Sequence, residues 1–438
     1  MEEIRRFSFK NLEELKCILN KYELSVSDNI NCLMQEIKIG DKIIPNRILA
    51  HPMEGVDALN FSPSNLTYRK YERIAKGGYG TIWVEATSVC EEGMSNDHQL
   101  LLNNETFEGF KKLNNLIKKK SKESAFNREA YTILQLNHSG RYCNKNKKEN
   151  AKIATHREEL DIKRNIEHDR ELISDEYLEN LKIKYLNAAI LAKKAGFDSV
   201  DIKSCHGYLV SELLGARDRN GKYGGKLENR FRFLLEVIDL IKTNKDCKGL
   251  DISVRLNASD MTKNGFSTDD NLEPDLSETY KLVELLKQKG IKLISITLGN
   301  PYFIPNINKP YDLNNKENLE SPLISCIRAI KIVKDLQMKY KDIFFVGIGF
   351  SWFRQYSVNL GEWMIENKFM TLLGFGRQSL AYPNLGNDLK HHGYINKSNS
   401  CITCNGCSNL KANFLPAGCV IRDSEIYGKY YKKIRDKI

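Results

Sequence analysis

Nowhere in its 438 residues does this chain carry 18 apolar residues in succession. A membrane-spanning helix, which needs about 20, is therefore not expected. The opening MEEIRRFSFKNLEELK has no apolar stretch of the kind that marks a secretory signal, so a cytoplasmic location is the expectation. No G-x-G-x-x-G turn follows a strand-like run, which argues against an open, doubly wound dinucleotide fold. Internal repeats and Pro/Gly/Ser-rich linkers are absent too. Basic residues outnumber acidic ones, 67 against 56, for a formal charge of +11. They are spread rather than striped, and Lys118–Lys120 and the 144–150 stretch read as solvated surface. Neither nucleic acid nor a membrane surface is an expected partner; an anionic small molecule is.

What is present begins with eight short apolar or β-branched runs: 48–51, 81–85, 131–136, 199–203, 252–256, 293–297, 344–347 and 372–374. Helical patterns over 178–195, 228–243, 277–289 and 320–340 separate most of the later ones. Strand–helix alternation on this scale predicts an α/β protein, a (β/α)₈ TIM barrel with a parallel sheet. Ahead of it, residues 34–48 read as a hairpin turning at Gly40-Asp41, and 1–25 as a short amphipathic helix with Leu12, Leu15, Cys17 and Ile18 on one side. The stretch 137–173 is too long for an ordinary strand-to-helix loop and is expected to fold over the barrel mouth as an active-site cover. Composition shifts only near 386. The expected division is an N-terminal helical extension (1–33), the barrel (34–395), and a cysteine-rich segment with its tail (396–438).

Of the 11 cysteines, seven are scattered and read as free thiols. The remaining four, Cys401, Cys404, Cys407 and Cys419, are spaced C-x₂-C-x₂-C-x₁₁-C. Thiolates so closely set hold tetrahedral zinc or an iron–sulfur cluster. Three in quick succession with one remote is the more cluster-like pattern, and zinc stays open as the alternative.

The segment 196–236 carries the most information. A run over Phe197–Ile202 ends in Lys203, His206 and Tyr208, and a Gly224-Gly225 pair and an amphipathic helix follow. Proton-donating side chains at the carboxyl end of a strand that feeds a helix mark the chemical end of such a barrel. The words HGYL (206–209), Tyr223-Gly224-Gly225, LENR (227–230) and RFLLEV (232–237) resemble the NADH:flavin oxidoreductases of the old yellow enzyme family. The likeness extends to their iron–sulfur branch, related to 2,4-dienoyl-CoA reductase and trimethylamine dehydrogenase. It runs from about residue 34 to the C-terminus, and members with large C-terminal FAD and pyridine-nucleotide domains are several hundred residues longer.

The resemblance implies FMN across the barrel mouth. HPMEG (51–55) and EAT (85–87) are similar to the family's flavin-lining words, so Pro52, Met53 and Ala86 would offer backbone to the ring, with Glu54 beside them in an open role. Gln135 in LQLNHSGRY would meet the pyrimidine edge; His138 and Arg141, just after it, could reach flavin or substrate. Arg255 in SVRLNASD ends strand five, where an arginine is costly without an anion such as reduced flavin. VGIGF (346–350) and GFGRQSLAYP (374–383) end strands seven and eight, where barrels often cradle phosphate. Gly349, Phe350, Gly376 and Arg377 are the candidates there. TLGNPY (297–302) and PNINKP (305–310) resemble the strand-six loop of the dienoyl-CoA reductase branch. In that branch a similar cysteine group holds a [4Fe–4S] cluster, more often with three residues between its second and third cysteines.

Mapped residue by residue, Lys203 and His206 would hold the activating carbonyl oxygen and Tyr208 would protonate the α-carbon. Lys203 departs from the histidine usual there; a bond to a substrate carboxylate, or a salt bridge to Glu85 or Asp201, would also account for it. The expected activity is thus an FMN- and iron–sulfur-dependent ene-reductase acting on an α,β-unsaturated carbonyl or carboxylate. Electrons would come from NAD(P)H or a donor protein, and a homo-oligomer is compatible. The alternatives are a dehydrogenase or demethylase of the trimethylamine dehydrogenase type, or a zinc-bearing basic binding protein on a silent barrel. The substrate-choosing loops are expected at 137–173 and 259–275.

Overall fold

The computed structural model describes residues 4–143, 151–314 and 319–435. Eight parallel strands form the barrel: β1 (Ile48–Ala50), β2 (Thr81–Ser88), β3 (Tyr131–Asn137), β4 (Ser199–Ile202), β5 (Asp251–Ser259), β6 (Leu293–Leu298), β7 (Phe344–Gly347) and β8 (Leu372–Phe375), with a two-residue strand, Leu100–Leu101, added beside the end of β2. Each barrel strand pairs with its neighbours in chain order. Gly374 of β8 lies opposite Leu49 of β1, and Leu49 opposite Thr81 of β2, so the sheet closes on itself. All eight residues of β2 and all seven of β3 are buried. That is why the sequence shows continuous apolar runs rather than alternation: both faces of each strand are covered.

Around the barrel run α1 (Asn65–Lys76), α2 (Phe107–Ser121), α3 (Asp175–Lys194), α4 (Leu227–Thr243), α5 (Ser277–Gln288), α6 (Pro322–Lys339) and α7 (Ser357–Glu366). Local chemistry sets their starts. Ser64 and Thr67 form a capping box on α1, Ser174 accepts from the Tyr177 amide at the head of α3, and Pro322 opens α6. On α4 the buried stripe Phe231, Leu234, Val237, Ile238 and Ile241 recurs at helical spacing. Each such side chain contributes about 1.5–3 kcal/mol on burial.

A hairpin of Ile37–Ile39 and Lys42–Ile44 turns at Gly40-Asp41, with Gly40 at φ 57°. Its Ile39 and Ile44 pack in one buried cluster with Leu49, Trp83, Ile133, Val346 and Leu372 of five barrel strands, and so plug the amino end of the barrel. The N-terminal helix Leu12–Asn20 buries Leu15 and Leu19. Past β8, short helices α8 (Arg377–Ala381) and α9 (Leu385–His392) lead to α10 (Gly406–Ala412) and α11 (Ser424–Arg435). These last two share a small core of Leu410, Ala417, Val420, Tyr427 and Ile434. Arg69 and Arg73 of α1 both donate to Asp423, and the Ala417 amide donates to Gly55 O at 2.7 Å, so the segment is fastened to the barrel mouth. No described helix is long and apolar enough to cross a membrane.

The expected cover is only partly what was foreseen. Residues 144–150 lie outside the described residues. From 151 to 173 the chain packs on the loops after β4 to β6: Arg157 pairs with Asp260 at 3.2 Å and Lys163 donates to Phe303 O at 2.8 Å. No residue of 137–173 or 259–275 among those described lines the central cavity; that wall is built instead from 301–310 and 407–417.

Candidate active site

A cavity opens at the carboxyl ends of the strands, and most of the expected residues meet there. Pro52, Met53 and Glu54 follow β1, Ala86 lies in β2, and Gln135 in β3. Lys203 and His206 follow β4, Arg255 stands in β5, and Gly349, Gly376 and Arg377 come from the ends of β7 and β8. For Ala86, Gln135 and Arg255, which lie within strands, the direction follows from alternation, since successive residues of a strand point to opposite faces.

Arg255 is 9% exposed, and its Nε has no hydrogen-bond partner. Among the described residues it makes no ion pair. Burial alone pulls its pKa down, against the weaker pull of Cys205 and Asp201. Asp201 is already engaged, accepting from Gln135 Nε2 at 2.6 Å, Trp83 Nε1 at 3.1 Å and the Arg255 amide at 2.7 Å. Burial raises its pKa to about 6. His51 is likewise held neutral by burial and by Arg255, and its Nδ1 is buried without a partner.

After β4 the picture differs from expectation in two ways. Lys203 is 5% exposed and forms neither anticipated salt bridge: Asp201 is taken as described, and Glu85 is taken by Lys70 and Tyr71. Its ammonium rests 3.6 Å from the centroid of the Tyr208 ring. Burial, then the charge of Lys411, brings its pKa to about 8 against the opposing pull of Cys205. Tyr208 itself is 1% exposed and does not line the cavity. Its hydroxyl shares a 2.6 Å hydrogen bond with that of Tyr302, which does. Tyr302 is held from behind by Tyr142, with ring centroids 4.1 Å apart, and by its amide donating to Asn300 Oδ1 at 3.0 Å. His206 adopts φ 67° and is kept neutral by burial and by Arg255, Lys203, Lys411 and Lys309.

At the far end Gly349 takes φ 88°, a left-handed turn that suits glycine. A Cβ on Gly374 would run into the His51 ring and come 2.7 Å from Gly347 O, so the backbone there stays bare. Phe350 is corrected: it is fully buried in the barrel core, and Gly349 and Ser351 face the cavity in its place. Arg377 donates to Pro310 O at 2.6 Å and to Asn405 Oδ1 at 3.3 Å. It lines both the central cavity and a second, smaller one walled by Cys401, Cys404, Cys407 and Cys419. Burial raises the thiol pKa values of Cys401 and Cys407, with Arg377 opposing in both. Backbone amides of Thr403 and Arg422 donate to the sulfurs of Cys401 and Cys419 at 3.3 Å.

The sequence profile of the NADH:flavin oxidoreductase / NADH oxidase family matches residues 32–319. The chain belongs to this family. It is 32% identical over 272 residues to an NADPH dehydrogenase of Bacillus pumilus (strain SAFR-032), covering 58% of this chain and 70% of that one. To the NADPH dehydrogenase of Bacillus subtilis (strain 168) it is 28% identical over 330 residues, 72% and 90% of the two chains. Among solved structures, the fold is shared with 2-naphthoyl-CoA reductase bound to 2-naphthoyl-CoA (TM-score 0.69, 20% identity, 91% of this chain and 58% of that). It is shared also with histamine dehydrogenase from Rhizobium sp. 4-9 (TM-score 0.69, 20% identity, 90% and 53%). An old yellow enzyme from Pichia sp. AKU4542 gives TM-score 0.63 at 21% identity over 82% and 86%. The chain thus spans little more than half the length of the first two.

As a member of this family the chain is an oxidoreductase, and its mouth fits a flavin mononucleotide on its own geometry. Arg255 offers an unanswered buried charge, Gln135 an amide fixed by Asp201, and Gly349, Gly376 and Arg377 a bare-backbone cradle with a fixed cation. Several residues of this site gave no separate signal in the sequence. Tyr302 and Lys309 lay inside the strand-six words without standing out, and Lys411 lay in the cysteine segment. Lys411 answers the open role of Glu54: the two form an ion pair, and Ser95 and Asn96 also donate to that carboxylate at 2.9 and 3.0 Å. His138 and Arg141 are not among the described residues that line the cavity. His138 Nε2 lies 2.8 Å from the Tyr177 hydroxyl, and Arg141 is fully buried against Asp161 and Glu212.

Proposed function

We propose that this chain is an FMN-dependent ene-reductase with a [4Fe–4S] cluster on Cys401, Cys404, Cys407 and Cys419, fed by NAD(P)H or by a one-electron donor protein. The observation that carries it is Arg255: a buried guanidinium, without an ion pair among the described residues, at the mouth of a barrel whose family reduces flavin. A bound flavin supplies the hydride. Arg255 offsets the negative charge that reduced flavin carries near N1/O2, and Gln135 fixes the pyrimidine edge. Arg377 and the amides around Gly349 and Gly376 hold the phosphate.

Lys203 and neutral His206 are aimed at the substrate's activating oxygen, where charge grows as hydride arrives at the β-carbon. Tyr302 reaches the cavity and Tyr208 stands one hydrogen bond behind it, so the proton for the α-carbon passes through this pair. Five cations (Lys203, Arg255, Lys309, Arg377 and Lys411) and one carboxylate, Glu54, line the cavity. That balance repels a cationic amine and disfavours the amine-dehydrogenase alternative.

Sulfur spacing supports the cluster over zinc. Among the described residues the one group of His, Cys, Asp or Glu ligand atoms mutually within 4.8 Å is Cys32, Glu362 and Glu366. The four cysteines form no such group, and their C-x₂-C-x₂-C-x₁₁-C pattern, three in quick succession with one remote, is the more cluster-like arrangement. Glu362 in that other group is occupied in accepting the Asn31, Cys32 and Leu33 amides, a structural cap. Anaerobic mixing of the photoreduced protein with 2-cyclohexenone tests the activity. Reoxidation of the flavin with formation of cyclohexanone is expected; reoxidation by no activated alkene would refute it.

A further inference from the structure

We propose that the double bond reduced here is conjugated to a carboxylate, and that Lys203 is the residue that selects it. This rests on the ene-reductase reading above and narrows its substrate to unsaturated acids. Lys203 lies on the cavity wall, 5% exposed, with no ion pair among the described residues. Every nearby carboxylate is committed elsewhere. Glu54 is held by Lys411, Ser95 and Asn96; Asp201 by Trp83, Gln135 and the Arg255 amide; Glu85 by Lys70, Tyr71 and the Gly55 amide. The face of Tyr208 recovers only part of what a buried ammonium loses on leaving water. An anion from the ligand completes it.

The chemistry asks for that charge in the same place. A neutral enone collects one negative charge on its oxygen when hydride arrives, and neutral donors suffice. A carboxylate starts with one charge and must carry a second, which makes it a reluctant hydride acceptor. An ammonium against it offsets the excess in a poorly solvated site. The step balances. Hydride from reduced FMN forms the new C–H bond at the β-carbon, and the π pair moves onto the α-carbon and carboxylate. A phenol proton then forms the second C–H bond, leaving the saturated acid. NAD(P)H restores the two electrons and solvent restores the phenol proton. Neutral His206, which also lines the cavity with its Nε2 3.5 Å from Thr297 Oγ1, is the second donor to that carboxylate.

The test uses the anaerobically purified, reduced protein with trans-cinnamate, methyl trans-cinnamate and 4-phenyl-3-buten-2-one, following flavin reoxidation. Binding of 3-phenylpropionate and its methyl ester to the oxidised protein is read from the shift of the flavin bands. The acid is expected to bind and react about tenfold better than its ester, as one charge-assisted bond would give. In Lys203→Gln the acid-to-ester ratio should fall about tenfold, and Lys203→Arg should restore part of it. If the ester or ketone is reduced while the acid neither shifts the flavin spectrum nor reoxidises it, the carboxylate assignment is overturned and the ene-reductase reading stands. Protein that reduces none of the three overturns both. Should Lys203→Gln not retain flavin, the acid-to-ester ratio of the unaltered protein decides alone.

Discussion

Replacing Tyr302 by phenylalanine removes the hydroxyl that faces the cavity, and replacing Tyr208 removes the one behind it. Each change should slow flavin reoxidation by the alkene about 10²-fold or more, the usual worth of a positioned acid. Because the two act as one 2.6 Å-linked unit, Tyr208→Phe/Tyr302→Phe should be little worse than either alone, as groups working in series are not additive. Flavin reduction by NAD(P)H should be unaffected, which stopped-flow half-reactions would show. A fully active Tyr302→Phe would return the acid's role to Tyr208. Lys203 gives a pH signature. Its pKa is near 8, set by burial and by Cys205, Lys411, Tyr302 and Glu54. The charged form that answers an anion is present below that value and is lost above it. kcat/KM for an unsaturated acid should therefore be flat to about pH 8 and then fall about tenfold per unit, and Lys203→Arg should abolish the fall. The sign for stability is opposite: a lysine whose folded pKa lies below its unfolded one costs stability while charged. Its burden is full below pH 8 and fades as pH rises toward 10.5.

At the scale of elements, the cysteine segment is a separate small core tied to the barrel by few bonds, chiefly Arg69 and Arg73 on Asp423 and Lys411 on Glu54. Asp423→Asn should loosen that dock, leaving two part-buried guanidinium groups under-satisfied at about 1–3 kcal/mol. Limited proteolysis should then release the segment early and iron content should drop while FMN stays bound. Loss of FMN together with iron would mean that the two sites do not fold independently. Such ties were not legible in the sequence. Glu54, Asp423 and Lys411 find their partners across hundreds of residues, and no local period or turn signal encodes such a meeting. The same reason explains Tyr302: a residue in a loop declares its direction only when the strands around it are placed. Phe350 misled because a word expected to cradle phosphate through its backbone need not aim its side chain into the cavity. Arg141 misled because a charge near a strand end can as well be sealed in by Asp161 and Glu212.

For the whole molecule, legibility was high because the barrel's physics is periodic. Strands buried on both faces read as unbroken apolar runs, helices as 3.6-residue stripes, and their alternation leaves one closed solution. All eight expected strands and the Gly40-Asp41 hairpin stand where the pattern put them. The price of that closure is a tightly filled wall, so Leu234→Ala on α4, at a fully buried position, should cost about 2–5 kcal/mol in a denaturant titration. The site at the mouth follows from strand ends alone, and its buried Arg255, without an ion pair among the described residues, is what binds the account together. Cofactor analysis of protein purified without oxygen tests that most directly. About one flavin mononucleotide per chain is predicted, with about four iron atoms beside it, and Arg255→Gln should weaken the flavin's retention. A colourless protein from which acid releases no flavin, whatever metal it holds, would contradict the account.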